Sequence, residues 1–161
     1  MILLWLLPLI VLLHIVEEFL FPGGFRAWYQ SYRPEIASSL TVRFLIIINA
    51  ILIIVSIIPI LMGTTQYGVA FWLTIVAILF SNALFHIVAG FRSKAYNPGL
   101  ITSLLLYLPL SIFGYWYFVS TTQASLETAG VSFILGASYQ WWSLYNHKRR
   151  SQVNENKKPV V

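Results

Sequence analysis

Apolar residues fill this chain in long blocks, broken by short polar punctuation. A membrane-crossing helix needs about 20 mostly apolar residues. Five blocks reach that length, at about 2–21, 40–62, 68–90, 99–120 and 126–145. They predict an all-α, polytopic membrane helix bundle with five transmembrane helices. Residues 1–146 form one domain, and 147–161 form a basic, disordered cytoplasmic tail in which His147 is solvated. The first block has no basic stretch ahead of it and no small-residue cleavage site, so it reads as a span rather than a leader. Pro8 bends it, and Pro22-Gly23-Gly24 stops it. Phe25, Trp28, Tyr29 and Tyr32 then recur at i, i+3, i+4 and i+7, with Arg26, Gln30 and Arg33 on other faces. That pattern predicts an amphipathic helix in the interface, an aromatic anchor or a lid beside the end of the first span. Asn97 reads as an N-cap, with Pro98 at the first position of the fourth span. Two aromatic clusters, Tyr115-Trp116-Tyr117 and Tyr139 with Trp141, Trp142 and Tyr145, read as interfacial belts.

Composition agrees with the pattern. Only 9% of residues are charged, against about 25% in soluble domains. There is no cysteine, which excludes disulfides, thiolate metal sites and thiol nucleophiles. There is also no aspartate, which removes the Asp-rich magnesium–diphosphate motifs. The basic residues Arg26, Arg33, Arg43, Arg92, Lys94, Lys148, Arg149, Arg150, Lys157 and Lys158 all fall on one side of a five-span arrangement. The positive-inside rule then puts the N-terminus outside and the C-terminus in the cytoplasm of a multi-pass protein of the cell membrane. The basic tail would meet anionic lipid head groups.

The polar residues inside the blocks carry the candidate chemistry. Ionisable groups within a span are costly and usually face a protein interior or a water-filled cavity. The first block ends in His14-Ile15-Val16-Glu17-Glu18, two of the five acids of the chain side by side under a histidine. Positions i, i+3 and i+4 share a helix face, so His14 lies over both glutamates. Asn82, His86 and Gly90 form a stripe on the third span. The alternating direction of the spans sets these two clusters at one depth, in the cytoplasmic half. Arg43 either snorkels to the head groups or pairs with a glutamate. Asn49 and Ser56 share a face of the second span and read as interhelical hydrogen-bonding residues. Tyr96 and Asn97 lie on the same side as the clusters, within reach of them.

His14-x-x-Glu17-Glu18, Asn82-x-x-x-His86 and Tyr96-Asn97-Pro98-Gly99, in that order, resemble the small bacterial membrane proteins grouped under the HXXEE motif. The resemblance spans the first four blocks. It implies that His14, Glu17, Glu18, Asn82 and His86 are the residues that matter. It implies no activity, because the family is defined by its motif.

The residue types admit three chemistries. His14, His86 and Glu17 or Glu18 can ligate zinc or non-haem iron, leaving the other glutamate as general base or as a partner orienting a histidine. Asn82 would bind substrate or hold His86. The block lacks the second histidine of H-x-x-E-H peptidases. The sequence therefore favours a metal-dependent enzyme acting on a lipid or other hydrophobic or amphipathic substrate, with Glu17, Glu18 and Asn82 catalytic. A metal-free acid–base lipid isomerase needs only the Glu/His pair in an apolar pocket. A proton-coupled carrier needs a path to both sides, which homo-oligomerisation would have to supply. A purely structural role for the polar residues completes the alternatives. Membrane lipids are the expected surroundings, and no nucleic-acid partner is expected.

Overall fold

A computed structural model describes residues 2–20 and 24–155, and every regular element in it is helical. The order is α1 (Ile2–Leu20), α2 (Gly24–Tyr32), a 3-10 turn (Pro34–Ser39), α3 (Val42–Met62), α4 (Gln66–Ser93), α5 (Leu100–Ser120) and α6 (Leu126–Glu155). Four of these helices, α1, α3, α4 and α5, are long and apolar enough to cross a membrane.

The expected fifth span does not join them. Residues 126–145 do form the first part of α6, but Glu127, Gln140 and repeated serine and glycine dilute the Val131–Leu135 apolar run below the hydropathy of a span. The tail also departs from expectation. Residues 147–155 continue α6 instead of fraying. Their inner face packs on the Pro34–Ser39 turn: Ser151 and Ser38 share a hydrogen bond of 3.1 Å, and Asn154 donates to the Ser38 carbonyl at 3.0 Å. His147, expected in solvent, is 7% exposed, and its Nδ1 lies 2.6 Å from Ser39 Oγ. Arg150 lies over the Phe44 ring, 3.7 Å from its centre, with Nη2 3.2 Å from His147 Nδ1. The Pro22-Gly23 stop and the last six residues lie outside the described residues.

Helix α4 is the central post. Val69, Trp72, Leu73, Val76, Leu79, Ala83 and His86 are all buried along it, and α3, α5 and α6 pack around it. Close approach follows from small residues. A Cβ on Gly136 of α6 would lie 2.3 Å from the Thr74 carbonyl, and Ser132 donates to the Ala70 carbonyl at 3.1 Å. Gly136 and Ser132 thus let two backbones meet, the small-residue mode of membrane helix packing.

Helix α1 buries Leu4, Leu7, Ile10, Val11, His14, Glu17 and Glu18, a stripe with the 3/4 spacing of a packed helix. The first four join the apolar core. The last three extend the same stripe, so packing carries His14 and both glutamates into the bundle. The amphipathic helix forms as expected in α2, with Tyr29 buried and Phe25 packed on it. Of the expected belts, Trp116, Trp141, Trp142 and Tyr145 are exposed, whereas Tyr115 and Tyr139 are half-buried.

Candidate functional site

Two histidines and one glutamate meet near the end of the bundle that carries α2. Glu18 Oε1 lies 3.4 Å from His14 Nε2 and 3.4 Å from His86 Nε2. The two rings stand edge to face with centres 5.1 Å apart. All three residues are buried, His86 completely. The two polar clusters predicted on separate spans are thus one site.

Hydrogen bonds on the far side of each ring fix which nitrogen faces inward. Asn97 Nδ2 donates to the His86 carbonyl at 2.9 Å, so its Oδ1 points to His86 Nδ1, 2.7 Å away. An amide oxygen only accepts, so a His86 proton sits on Nδ1, and in the neutral ring Nε2 presents a lone pair. That Nε2 has no hydrogen-bond partner. His14 Nδ1 lies 2.7 Å from Thr102 Oγ1, and the Thr102 hydroxyl spends its single proton on Glu17 Oε2 at 2.5 Å. His14 Nδ1 is therefore the donor, and its Nε2 also presents a lone pair.

Three acceptors, two imidazole nitrogens and a carboxylate oxygen, consequently converge with no donor among them. Their ligand atoms lie within 4.8 Å of one another, and the three groups can hold a metal ion. Atoms bound to one ion at about 2.0–2.1 Å in tetrahedral array lie about 3.4 Å apart, which fits the two Glu18 contacts. Metal-binding histidines characteristically donate their other N–H to a carbonyl, carboxylate or water. Here Asn97 and the Thr102–Glu17 relay occupy those places.

The adjacent glutamates separate. Glu18 is the one of the two alternatives that joins the histidines, and Glu17 lies outside the three-residue cluster. Its carboxylate accepts from Tyr96 Oη at 2.7 Å, Ile101 N at 3.0 Å, Thr102 N at 2.7 Å and Thr102 Oγ1 at 2.5 Å. It thereby binds the N-terminus of α5, where free N–H groups and the helix dipole favour an anion. Burial and the bond to Glu17 push the Tyr96 phenol above its ordinary value, which keeps it a donor.

The Tyr96–Gly99 turn closes the site from outside the helices. Asn97 is not the helix cap that the sequence suggests; Gly99 takes that place, and the Asn97 side chain is free for His86. Leu100 N bonds the Asn97 carbonyl at 3.1 Å, with Pro98 next and Gly99 at φ 97° and ψ −9°. This is a type II turn, which requires positive φ at its third residue. A Cβ there would stand 2.6 Å from His86 Cε1 and 2.9 Å from His14 Cε1. Gly99 thus allows both the turn and its approach to the imidazoles.

Sequence reasoning missed two residues, both on α5. Thr102 is the relay just described. Tyr107 stacks on His14 with ring centres 4.2 Å apart, is 1% exposed, and has a hydroxyl with no partner. It ends a π-helical segment, Ser103–Tyr107. Such wide turns gather at functional sites.

A cavity of about 280 Å³ opens beside the site. His14, Glu18 and Tyr107 line one end, Asn82 and Asn49 lie along it, and His147 and Tyr139 belong to the α6 wall. Asn82 therefore faces the cavity rather than holding His86, and its buried Oδ1 has no partner. Phe25 and Tyr29 of α2 also line it, with the Phe25 ring 5.5 Å from that of His86. Arg43 is exposed.

No curated protein and no solved structure matches this chain. Residues 5–114, more than half of the chain, match the family described as "Protein of unknown function with HXXEE motif". That stretch contains His14, Glu18, His86, Asn97, Gly99, Thr102 and Tyr107, and the chain belongs to the HXXEE-motif family.

Proposed function

We propose that this protein is a metal-dependent membrane enzyme acting on a hydrophobic substrate. One observation carries the reading: His14 Nε2, His86 Nε2 and Glu18 Oε1 converge as acceptors with no donor, at the wall of a largely apolar cavity. Lone pairs crowded together in a dry interior repel one another unless a cation joins them. His14, His86 and Glu18 would hold a divalent ion such as zinc or iron, with an open side toward the cavity. Bound there, the ion would supply a Lewis acid and an activated water.

The remaining roles fall to the chain itself. Asn97 and Thr102 hold the two imidazoles in the ligating tautomer. Glu17 anchors the N-terminus of α5 and orients His14 through Thr102. Phe25 screens His86. Asn82 presents its unpartnered amide oxygen to the cavity, where it can accept a hydrogen bond from substrate.

The same 3.4 Å contacts support a second reading. A single proton on either Nε2 would also satisfy Glu18, giving an imidazolium–carboxylate pair suited to acid–base isomerisation of a lipid. Elemental analysis of the detergent-purified protein separates the two. The metal reading expects about one equivalent of zinc, iron or manganese, lost in His14→Ala/His86→Ala. A folded protein without metal, whose activity survives chelation, would establish the isomerase instead.

A further inference from the structure

Resting on the reading of this cavity as the substrate site, we propose that its ligand is an uncharged, single-chain lipid with an oxygen function at one end, held with that end beside Tyr107 and reached from the bilayer between α3 and α6.

The lining excludes other lipid classes by charge. Among the described residues no lysine or arginine lines the cavity, and Glu18 is the one carboxylate that does. His147, at the α6 wall, is pushed down to about 4 by burial and by Arg150, so it is neutral near pH 7. An anionic head group would face Glu18 at close range in a weakly screened interior, while the nearest cations, Arg26 on the Leu40 carbonyl and Arg150 on His147 and Phe44, stand behind the lining. A cationic head group would find a single carboxylate already committed to two histidines. The remaining polar groups are neutral: the Tyr107 hydroxyl, the amides of Asn49, Asn82 and Gln140, and Ser143. Two of them, Tyr107 Oη and Asn82 Oδ1, are buried without a partner. A buried polar atom left unpaired is costly, so each is a hydrogen bond awaiting a ligand. An alcohol carries both complements, an oxygen that accepts from the phenol and a proton that can go to an amide oxygen such as that of Asn82.

Size and access limit the tail. About 280 Å³ is near the lower end of small-molecule pockets, enough for one chain and too little for a two-chain phospholipid. Ile48, Leu52 and Val55 of α3 give an apolar wall on one side, and α6 stands on the other. Both helices flank α4, and they do not pack closely on each other. Helix α3 is also the least buried of the four membrane-length helices. The gap between α3 and α6 therefore faces the surroundings that the exposed apolar side chains of α3 demand, which are lipid.

The test is photo-cross-linking in nanodiscs with a diazirine-bearing dodecanol, followed by peptide mapping. The expected label falls on residues 48–55 and 139–147. Dodecanol should displace it at least about tenfold better than dodecanoate of the same length. Ile48→Trp, which fills the cavity, should abolish the label. Tyr107→Phe, which removes a hydroxyl with no partner in the protein, should keep the fold and weaken the alcohol several-fold. Label spread evenly over the lipid-facing helices, or dodecanoate competing as well as dodecanol, would overturn the proposal. The label needs no metal. A protein that purifies without metal and still labels as expected would sink the metal reading alone, and lost labelling in a metal-loaded protein would sink this one alone.

Discussion

His14 Nδ1 lies 2.7 Å from the Thr102 hydroxyl, and that contact decides which nitrogen of His14 faces Glu18. The hydroxyl belongs to a helix that begins more than eighty residues later, so a ligand on α1 is oriented by the first turn of α5.

Thr102→Val keeps the shape and removes the relay. Loss of such an orienting partner costs about 10–100-fold in metal affinity. We expect that loss in a competition titration with a chromogenic chelator, with most of it restored in Thr102→Ser. Equal affinities in Thr102→Val and the parent would remove Thr102 from the site.

The adjacent glutamates should respond in opposite ways. Glu18→Gln replaces an acceptor by a group that can donate to an Nε2, so the metal-free protein should unfold at the same temperature or higher, with metal binding lost. Glu17→Gln leaves four donors around a weaker acceptor, one face of which is now a donor. Its cost should be about 1–3 kcal/mol, read from thermal unfolding in detergent. Metal stoichiometry should survive in Glu17→Gln.

Gly99→Ala places a methyl group where two imidazoles stand and forces an L residue to φ 97°. The conformational term alone costs on the order of 1–3 kcal/mol. The variant should lose metal as well as stability. A control at Gly130, around which a Cβ meets nothing within 4 Å, should lose neither.

The end of α6 should respond to pH. His147 titrates near 4, below its ordinary 6.5, because burial and then Arg150 disfavour its charged form. A histidine depressed in this way binds protons more readily when released. Its contribution to docking is complete above pH 6.5 and is lost as pH falls toward 4. Hydrogen exchange in residues 147–154 and 34–39 should accelerate over that window. His147→Phe should flatten the response.

Much of the site was legible because membrane spans tolerate so few polar groups. His14, Glu18 and His86 stood out against apolar blocks, and alternating spans set them at one depth. The stripe does not choose between the glutamates: Glu17 and Glu18 stand three and four residues from His14, both are buried, and Glu17 turns to the N-terminus of α5 through bonds that only the fold supplies. Thr102 and Tyr107 left no comparable mark. Threonine and tyrosine are ordinary in spans, and the π-helical turn between them breaks the periodicity that would relate them. Asn97 carries two readings in the sequence, a cap and a residue within reach of the clusters, and its side chain is found on His86. Block 126–145 reads as a span by its apolar centre, but it carries Glu127 and Gln140, and its helix runs on past 145 to Ser151 and Asn154, whose side chains bond the Pro34–Ser39 turn.

The wide turn at Ser103–Tyr107 also sets the phase of α5. Below it, Thr102 and the free N–H groups serve Glu17 and His14; above it, Gly114 lies flat against the Trp72 indole. A π turn holds more residues than an α turn, so the two halves are offset from a single α-helical count. Removing one residue within it, such as the exposed Leu105, would let the segment close to an α turn with both halves still in place, whereas removing one from the α-helical stretch beyond it would swing one half by about 100° relative to the other. In that second case Thr102 would leave His14 while the far half stayed seated on α4. The segment works as a coupling between two gears, one cut to fit the core and the other cut to fit the histidines, and it takes up one residue of slack so that both stay engaged.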